Sequence, residues 1–178
     1  MGGSQNTNFF GFQGGGGGGS TLPFTWAELS SAVVQNFDVE VGASIMIFDG
    51  VSTGPDISWD GGSREITINR SGIYLFEYYV TLRQTNTLGI DCQYSMWVEQ
   101  NGSPITNSAI LQYFPQLTLV TYALHNVKTH FLIEAESGDT FRFAWAVSDP
   151  TAYLDNGGNF YPSGPQYDSS YATITQVA

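Results

Sequence analysis

A chain of 178 residues with Lys+Arg 5 against Asp+Glu 16, a net charge of -11, lacks the cations from which a nucleic-acid interface or a contact with an anionic membrane is built. The length fits one domain, able to bury about 70% of its unfolded surface without covalent staples, and the single cysteine, Cys92, excludes an intrachain disulfide framework and reads as a small buried apolar residue. Charged residues are only 12% while aromatics reach 15% and glycines number 21, a balance that points to an all-β protein and away from a helical enzyme.

Residues 1–20 are low-complexity, with six consecutive glycines at Gly14–Gly19. Phe9, Phe10 and Phe12 stand just before that run and are more than a flexible linker needs, so residues 1–38 are read as an attachment arm whose phenylalanines dock on a partner. The bland alternative is an unstructured arm with incidental apolar residues. The start has neither a basic segment nor an apolar core of 7–15 residues, so no secretory signal is expected. No run of about 18 apolar residues occurs, so no membrane insertion is expected. Thr25 and Glu28 have capping-box spacing, with Trp26, Leu29 and Val33 at helical intervals. The same segment reads equally as an irregular leading strand.

From residue 39 the pattern is that of strands, and 39–178 is read as the folded domain. Ala43–Phe48 and Ile57–Trp59 are short runs, each ended by an Asp-Gly turn signal. Arg64–Asn69 alternates, Arg70-Ser71-Gly72 reads as a tight turn with Gly72 at a positive φ, and Ile73–Leu82 follows for ten residues without Gly or Pro. Asp91–Gln100 alternates Cys92, Tyr94, Met96 and Val98 against polar partners and stops at the hairpin dipeptide Asn101-Gly102. Ile105–Leu111, Leu117–Leu124, Val127–Ala135, Thr140–Ser148 and Tyr171–Val177 complete about ten strands, with Gln84–Gly89 a polar loop and Ser137-Gly138-Asp139 a turn. Short strands at this spacing, with no helix of 10–15 residues between them, indicate an antiparallel sandwich or barrel.

Ile73–Leu82 is the most informative run. Tyr74, Phe76, Tyr78, Val80 and Leu82 make one face wholly apolar. The other carries Ile73, Leu75 and Tyr79 beside Glu77 and Thr81, too apolar for a solvated side. Either a loop of the same chain covers it, or Ile73, Leu75 and Tyr79 meet another subunit.

Ile66-Thr67-Ile68 followed by Ser71-Gly72-Ile73-Tyr74-Leu75-Phe76-Glu77-Tyr78 resembles the Gly-x-Tyr-x-Phe-x-Tyr strand of the C1q and tumour necrosis factor superfamily. Glu136–Phe141 is similar to the turn into its penultimate strand, and Ser170–Gln176 to its terminal strand. The match spans roughly residues 39–178 and implies a ten-stranded antiparallel jelly-roll sandwich that assembles as a homotrimer. The Gly-x-y stalk common in that family is absent here, and no stretch matches its calcium motif.

Little else points to chemistry. His125 and His130, the only histidines, fall on opposite faces of a strand, which disfavours a zinc site or a nucleophilic triad. The polyglycine run lacks the Gly-Lys-Ser/Thr ending of a phosphate loop. No paired carboxylates stand out, so no enzyme is expected. Residues 149–169 form the one long loop. Tyr153, Asp155, Asn156, Asn159, Phe160, Tyr161, Tyr167 and Asp168 there combine stacking faces with hydrogen-bonding groups suited to a glycan or receptor, and the acidic oxygens could also hold Ca²⁺. The structural alternative is a self-packed loop whose tyrosines cover the sandwich edge. No other cofactor is implied. The expectation is a non-enzymatic virion surface component: a capsid decoration, head fibre or tail-fibre knob, held to other virion proteins through its arm. The alternative is an extracellular adhesin of a cell or spore surface that binds through residues 149–169.

Overall fold

The computed structural model describes residues 25–37, 42–85, 91–114, 122–148, 151–156 and 168–178. Within them the protein is all-β. The strands in chain order are β1 (Trp26–Ser31), β2 (Gln35–Asn36), β3 (Ser44–Ile45), β4 (Gly50–Thr53), β5 (Ile57–Asp60), β6 (Glu65–Ile68) and β7 (Gly72–Thr85). They continue with β8 (Cys92–Gln100), β9 (Ser103–Pro104), β10 (Ile110–Phe114), β11 (Tyr122–Ala135), β12 (Thr140–Val147), β13 (Ala152–Leu154) and β14 (Ser170–Gln176). A single 3₁₀ turn, Thr106–Ser108, lies between β9 and β10. No helix among the described residues is long and apolar enough to cross a membrane.

Every strand pairing is antiparallel, and there are two sheets. In the first, β7 is the centre. Its whole length pairs with β11 on one edge, while β14 and β13 share the other edge end to end. β14 then pairs with β1, β1 with β4, and β13 with β2. In the second sheet β12 is the centre, with β8 on one edge and β6 and β3 on the other. β10 and β9 pair with β8, and β5 pairs with β6.

The core lies between the sheets because strand side chains alternate with a period of two. Tyr74, Phe76, Tyr78, Val80 and Leu82 of β7 are all buried, as the sequence predicts. They face Cys92, Tyr94, Met96 and Val98 of β8 and Phe141, Phe143 and Trp145 of β12, all buried as well. Tyr78 joins the layers. Its ring meets Phe143 edge-on at 5.3 Å, and its hydroxyl donates to the Ser108 carbonyl at 3.1 Å. Burial pushes that hydroxyl far above its ordinary pKa.

Trp26–Ser31 takes the strand alternative and not the helix: Ala27, Leu29 and Ser31 are buried, and the strand sits inside the first sheet between β14 and β4. Sheet structure therefore begins before residue 39. Pairing to β14 outweighs a capping box that could have organised only one or two helical turns. The runs 64–69 and 73–82 are not a hairpin. β6 belongs to the second sheet and β7 to the first, so Arg70–Gly72 carries the chain from one layer to the other. Gly72 does not have a positive φ. It is required by a close approach, since a Cβ there would lie 2.5 Å from the Ala178 carbonyl oxygen, which accepts from Ile73 N. Asp49-Gly50, read as a turn signal, leads directly into the edge strand Gly50–Thr53. Ile105–Leu111 is a 3₁₀ turn followed by β10, and Ala43–Phe48 shortens to the two residues of β3.

The turn signals at the other end hold. Asn101 and Gly102 take φ of 53° and 76°, the twist of a two-residue hairpin turn between β8 and β9. The Asp139 carboxylate fastens this turn to the Ser137–Gly138 turn, accepting from Asn101 Nδ2 at 2.7 Å, Gln100 Nε2 at 2.7 Å and Glu136 N at 2.8 Å. These donors, the Asn101 amide foremost, hold its carboxyl below the usual carboxylate range. A depressed folded pKa contributes stability above the unfolded value of about 3.9, which is lost as pH falls through the folded value. Asn101→Asp keeps the backbone conformation accessible but replaces the donor by a second carboxylate. It is expected to cost about 1 kcal/mol at neutral pH, with the difference from wild type narrowing below about pH 4 as the carboxyls protonate. Denaturant unfolding at neutral and acidic pH measures this.

Candidate functional site

The inner face of the first sheet is filled by the core, and its outer face is covered by no element among the described residues. Strand register sets the residues of that face in rows across β11, β7, β14 and β1. One row is Leu132, Leu75, Thr175 and Trp26. The next is His130, Glu77, Thr173 and Glu28, and the third is Lys128, Tyr79, Tyr171 and Ser30. Ile73, Leu75 and Tyr79, expected at a subunit interface, all lie here. Ile73 is 39% exposed and Leu132, opposite Leu75, is 64% exposed.

The face is apolar at one end and polar toward the other. Thr173 Oγ1 donates to Glu77 Oε2 at 3.5 Å, and Lys128 Nζ lies 4.0 Å from Glu77 Oε1. Thr81 donates to Asn126 Oδ1 at 3.1 Å and shares a hydrogen bond with the Tyr79 hydroxyl at 3.2 Å. That hydroxyl is also 3.4 Å from the Asp168 carbonyl oxygen. Two shallow depressions open between the strands. One, of about 440 Å³, is lined by Glu77, Tyr79, Lys128, Tyr171, Thr173 and Thr175. The other, of about 320 Å³, is lined by Tyr79, Thr81, Leu124 and Asn126.

Acids stand at several points of the face. Toward β1 the acids gather: burial, and then the nearby Asp49 and Glu28 carboxylates, push the Asp168 carboxyl up. Burial and then Glu28 push the Tyr171 hydroxyl up. On the opposite edge β11 presents Lys128, the chain's one lysine, with 70% of its side chain exposed, together with the exposed His130 and Glu134.

Residues of the 149–169 segment divide. Tyr153 is in β13, opposite Arg83, whose guanidinium carbon sits 5.8 Å from the centre of the tyrosine ring. Asp155 is fully buried, its Oδ2 3.8 Å from Arg83 Nη1 and its backbone N–H bonded to the Thr81 carbonyl. Asn156 donates its side-chain amide to the Ala32 carbonyl. These three side chains are tied to the first sheet and do not form an open platform. Asn159, Phe160, Tyr161 and Tyr167, like Phe9, Phe10 and Phe12 of the arm, lie outside the described residues.

The other chemistry is sparse. His125 points inward with its ring stacked on Phe114 at 3.8 Å, and burial lowers its pKa. His130 points outward, as their spacing requires. Among the described residues no group of three or more His, Cys, Asp or Glu side chains is placed to hold a metal ion. Sequence reasoning picked out the β7 part of the face and missed Lys128, His130, Leu132, Tyr171 and Glu28. The outward set of β11 was legible from its alternation, but its register against β7 was not. No protein-family model matches the chain, and no curated protein matches it at a significant level.

Proposed function

We propose that the chain is a non-enzymatic structural protein, a homotrimeric knob of C1q/tumour necrosis factor-like jelly rolls on a virion surface, held to other virion proteins through its N-terminal arm as a capsid decoration, head fibre or tail-fibre knob. The observation that carries this is the outer face of the first sheet. Leu132 and Leu75 lie side by side there, with Ile73 two residues along the same strand, Trp26 beyond Thr175, and Tyr79 beside Tyr171 further along, a mixture of aliphatic and aromatic residues of the kind found at subunit contacts. Strand order supports the jelly-roll form. With the short segments β2, β3, β9 and β13 set aside, five strands remain in each sheet, ordered β4-β1-β14-β7-β11 and β5-β6-β12-β8-β10. Each sheet interleaves early and late strands, as two Greek keys do. The virion placement rests on the phenylalanine and polyglycine arm. The adhesin alternative draws less support, because Tyr153, Asp155 and Asn156 of its binding loop are tied to the sheet.

Light scattering on the full chain, and on one lacking residues 1–24 so that β1 stays intact, tests the assembly. Three times its own chain mass is expected for each, the full chain being 19.4 kDa. A monomer in both overturns the reading. Attachment to the particle is expected to be lost in the shortened chain only, and retained attachment would overturn the role of the arm.

A further inference from the structure

We infer that the cleft between β2 of the first sheet and β3 of the second is a binding site for a small apolar carboxylate, with Arg64 holding the carboxylate and the Trp145 indole beside it. This goes beyond the assembly proposed above and does not depend on it. The cleft has a volume of about 480 Å³, within the range of small-ligand sites, and Val34, Ala43, Ile45 and Ile47 give it apolar walls. Those walls are held in place. Ser44 of β3 pairs with Trp145 of β12, Gln35 grips the Ile47 peptide through both atoms of its amide, and Arg64 Nη1 donates to the Ile45 carbonyl at 3.3 Å. Two lining side chains keep donors to spare. The first is Arg64. The chain has five basic residues, and the other four each lie within 4.0 Å of a carboxylate: Arg70 by Asp56, Arg83 by Asp155, Lys128 by Glu77 and Arg142 by Glu99. Arg64 has no such partner among the described residues. The acids near it in the chain are engaged, since Asp60 accepts from Gly62 N and Ser63 Oγ, and Glu65 lies 3.9 Å from Arg142. Among the described residues no carboxylate lines the cleft. The second is Trp145. Its ring is fully buried against Phe37 and Tyr94, and its Nε1–H has no acceptor. A buried donor without an acceptor is costly and calls for an explanation. Guanidinium and indole only donate, so their complement is an acceptor, and the planar guanidinium fork matches the two oxygens of a carboxylate. The apolar walls suit a hydrocarbon body, and a lone cation suits a single negative charge.

The test titrates the full-length, nitrogen-15-labelled chain with hexanoate and follows the indole N–H resonances of its four tryptophans. Trp145→Phe assigns the resonance of Trp145, and Trp26, Trp59 and Trp97 serve as internal controls. Acetate, hexanol and inorganic phosphate are the comparison probes. Arg64→Asn removes the cation and keeps the fold, because Arg64 sits at a φ of 59° and asparagine is among the residues that accept this left-handed conformation. Circular dichroism and an unchanged thermal midpoint confirm it. The expected result is a saturable shift of the Trp145 resonance with hexanoate, at least about tenfold weaker binding of hexanol and of acetate, and a loss of at least about tenfold in hexanoate affinity in Arg64→Asn. No movement of the Trp145 resonance up to about 50 mM hexanoate would overturn the site, since even a weak ligand of this size registers there. Equal affinity in Arg64→Asn would overturn the role assigned to the guanidinium. Acetate or phosphate binding as tightly as hexanoate would show an adventitious anion only. None of these outcomes bears on the mass of the assembly, so the two readings fail separately.

Discussion

Replacing Phe76 by alanine is expected to lower folding stability by about 4 kcal/mol, the upper part of the range for a buried aromatic. Phe76 is fully buried at the centre of β7. Its ring stacks on Phe131 of its own sheet at 5.8 Å and 14°, and meets Phe141 and Phe143 of the opposite sheet at 5.1 and 6.2 Å. Truncation removes the apolar transfer term and leaves a cavity walled by three rings whose backbones are held in two different sheets, so the site cannot collapse far. Phe76→Leu, which keeps much of the volume, is expected to cost roughly 1–2 kcal/mol. Denaturant unfolding at one fixed protein concentration checks both, since any association adds its own term. A loss under about 1 kcal/mol for the alanine variant would mean that the two layers do not pack through this residue.

Gln35→Leu should cost about 2–4 kcal/mol for the opposite reason. The side chain is almost entirely buried, and its amide does the work of a strand. Oε1 accepts from Ile47 N at 2.7 Å, and Nε2 donates to the Ile47 carbonyl at 2.9 Å. Nε2 also reaches the Ser170 and Ser169 hydroxyls at 3.0 and 3.3 Å, tying residues 35, 47 and 169–170 together at one end of the sandwich. Leucine fills similar space but leaves the peptide of Ile47 and both hydroxyls without that partner. Gln35→Glu sharpens the test. It can still accept from Ile47 N, but when ionised it places a charge in a buried site and repels the Ile47 carbonyl. Burial favours the neutral acid, so this variant should recover stability relative to wild type as pH falls and the carboxyl protonates. Equal losses for the glutamate variant at neutral and acid pH would argue against the bidentate peptide contact.

The two residues were unequally legible. Phe76 could be assigned to the core from alternation alone, because a pleated strand sends every second side chain to one face whatever it pairs with. The same rule set Cys92, Tyr94, Met96 and Val98 apart from their polar neighbours, and all four are buried. Asn101-Gly102 was readable because a left-handed turn is a local property of two residues. Gln35 carried no such signal. It is a polar residue beside a turn, and its value comes from Ile47, Ser169 and Ser170, which are distant in the chain.

Faces and tight turns are local consequences of the backbone, and the order of amino acids was enough to determine them. Pairing was not local. Glu65–Ile68 and Gly72–Thr85 are neighbours in the chain and belong to different sheets, while Trp26–Ser31 and Ser170–Gln176, near opposite ends of the chain, lie side by side. The candidate face follows the same rule. The row His130, Glu77, Thr173 and Glu28 exists only because three long-range registers align it. Alternation says which way a side chain points. Which chain it points beside is decided by the burial that all strands achieve together, a property of the folded whole.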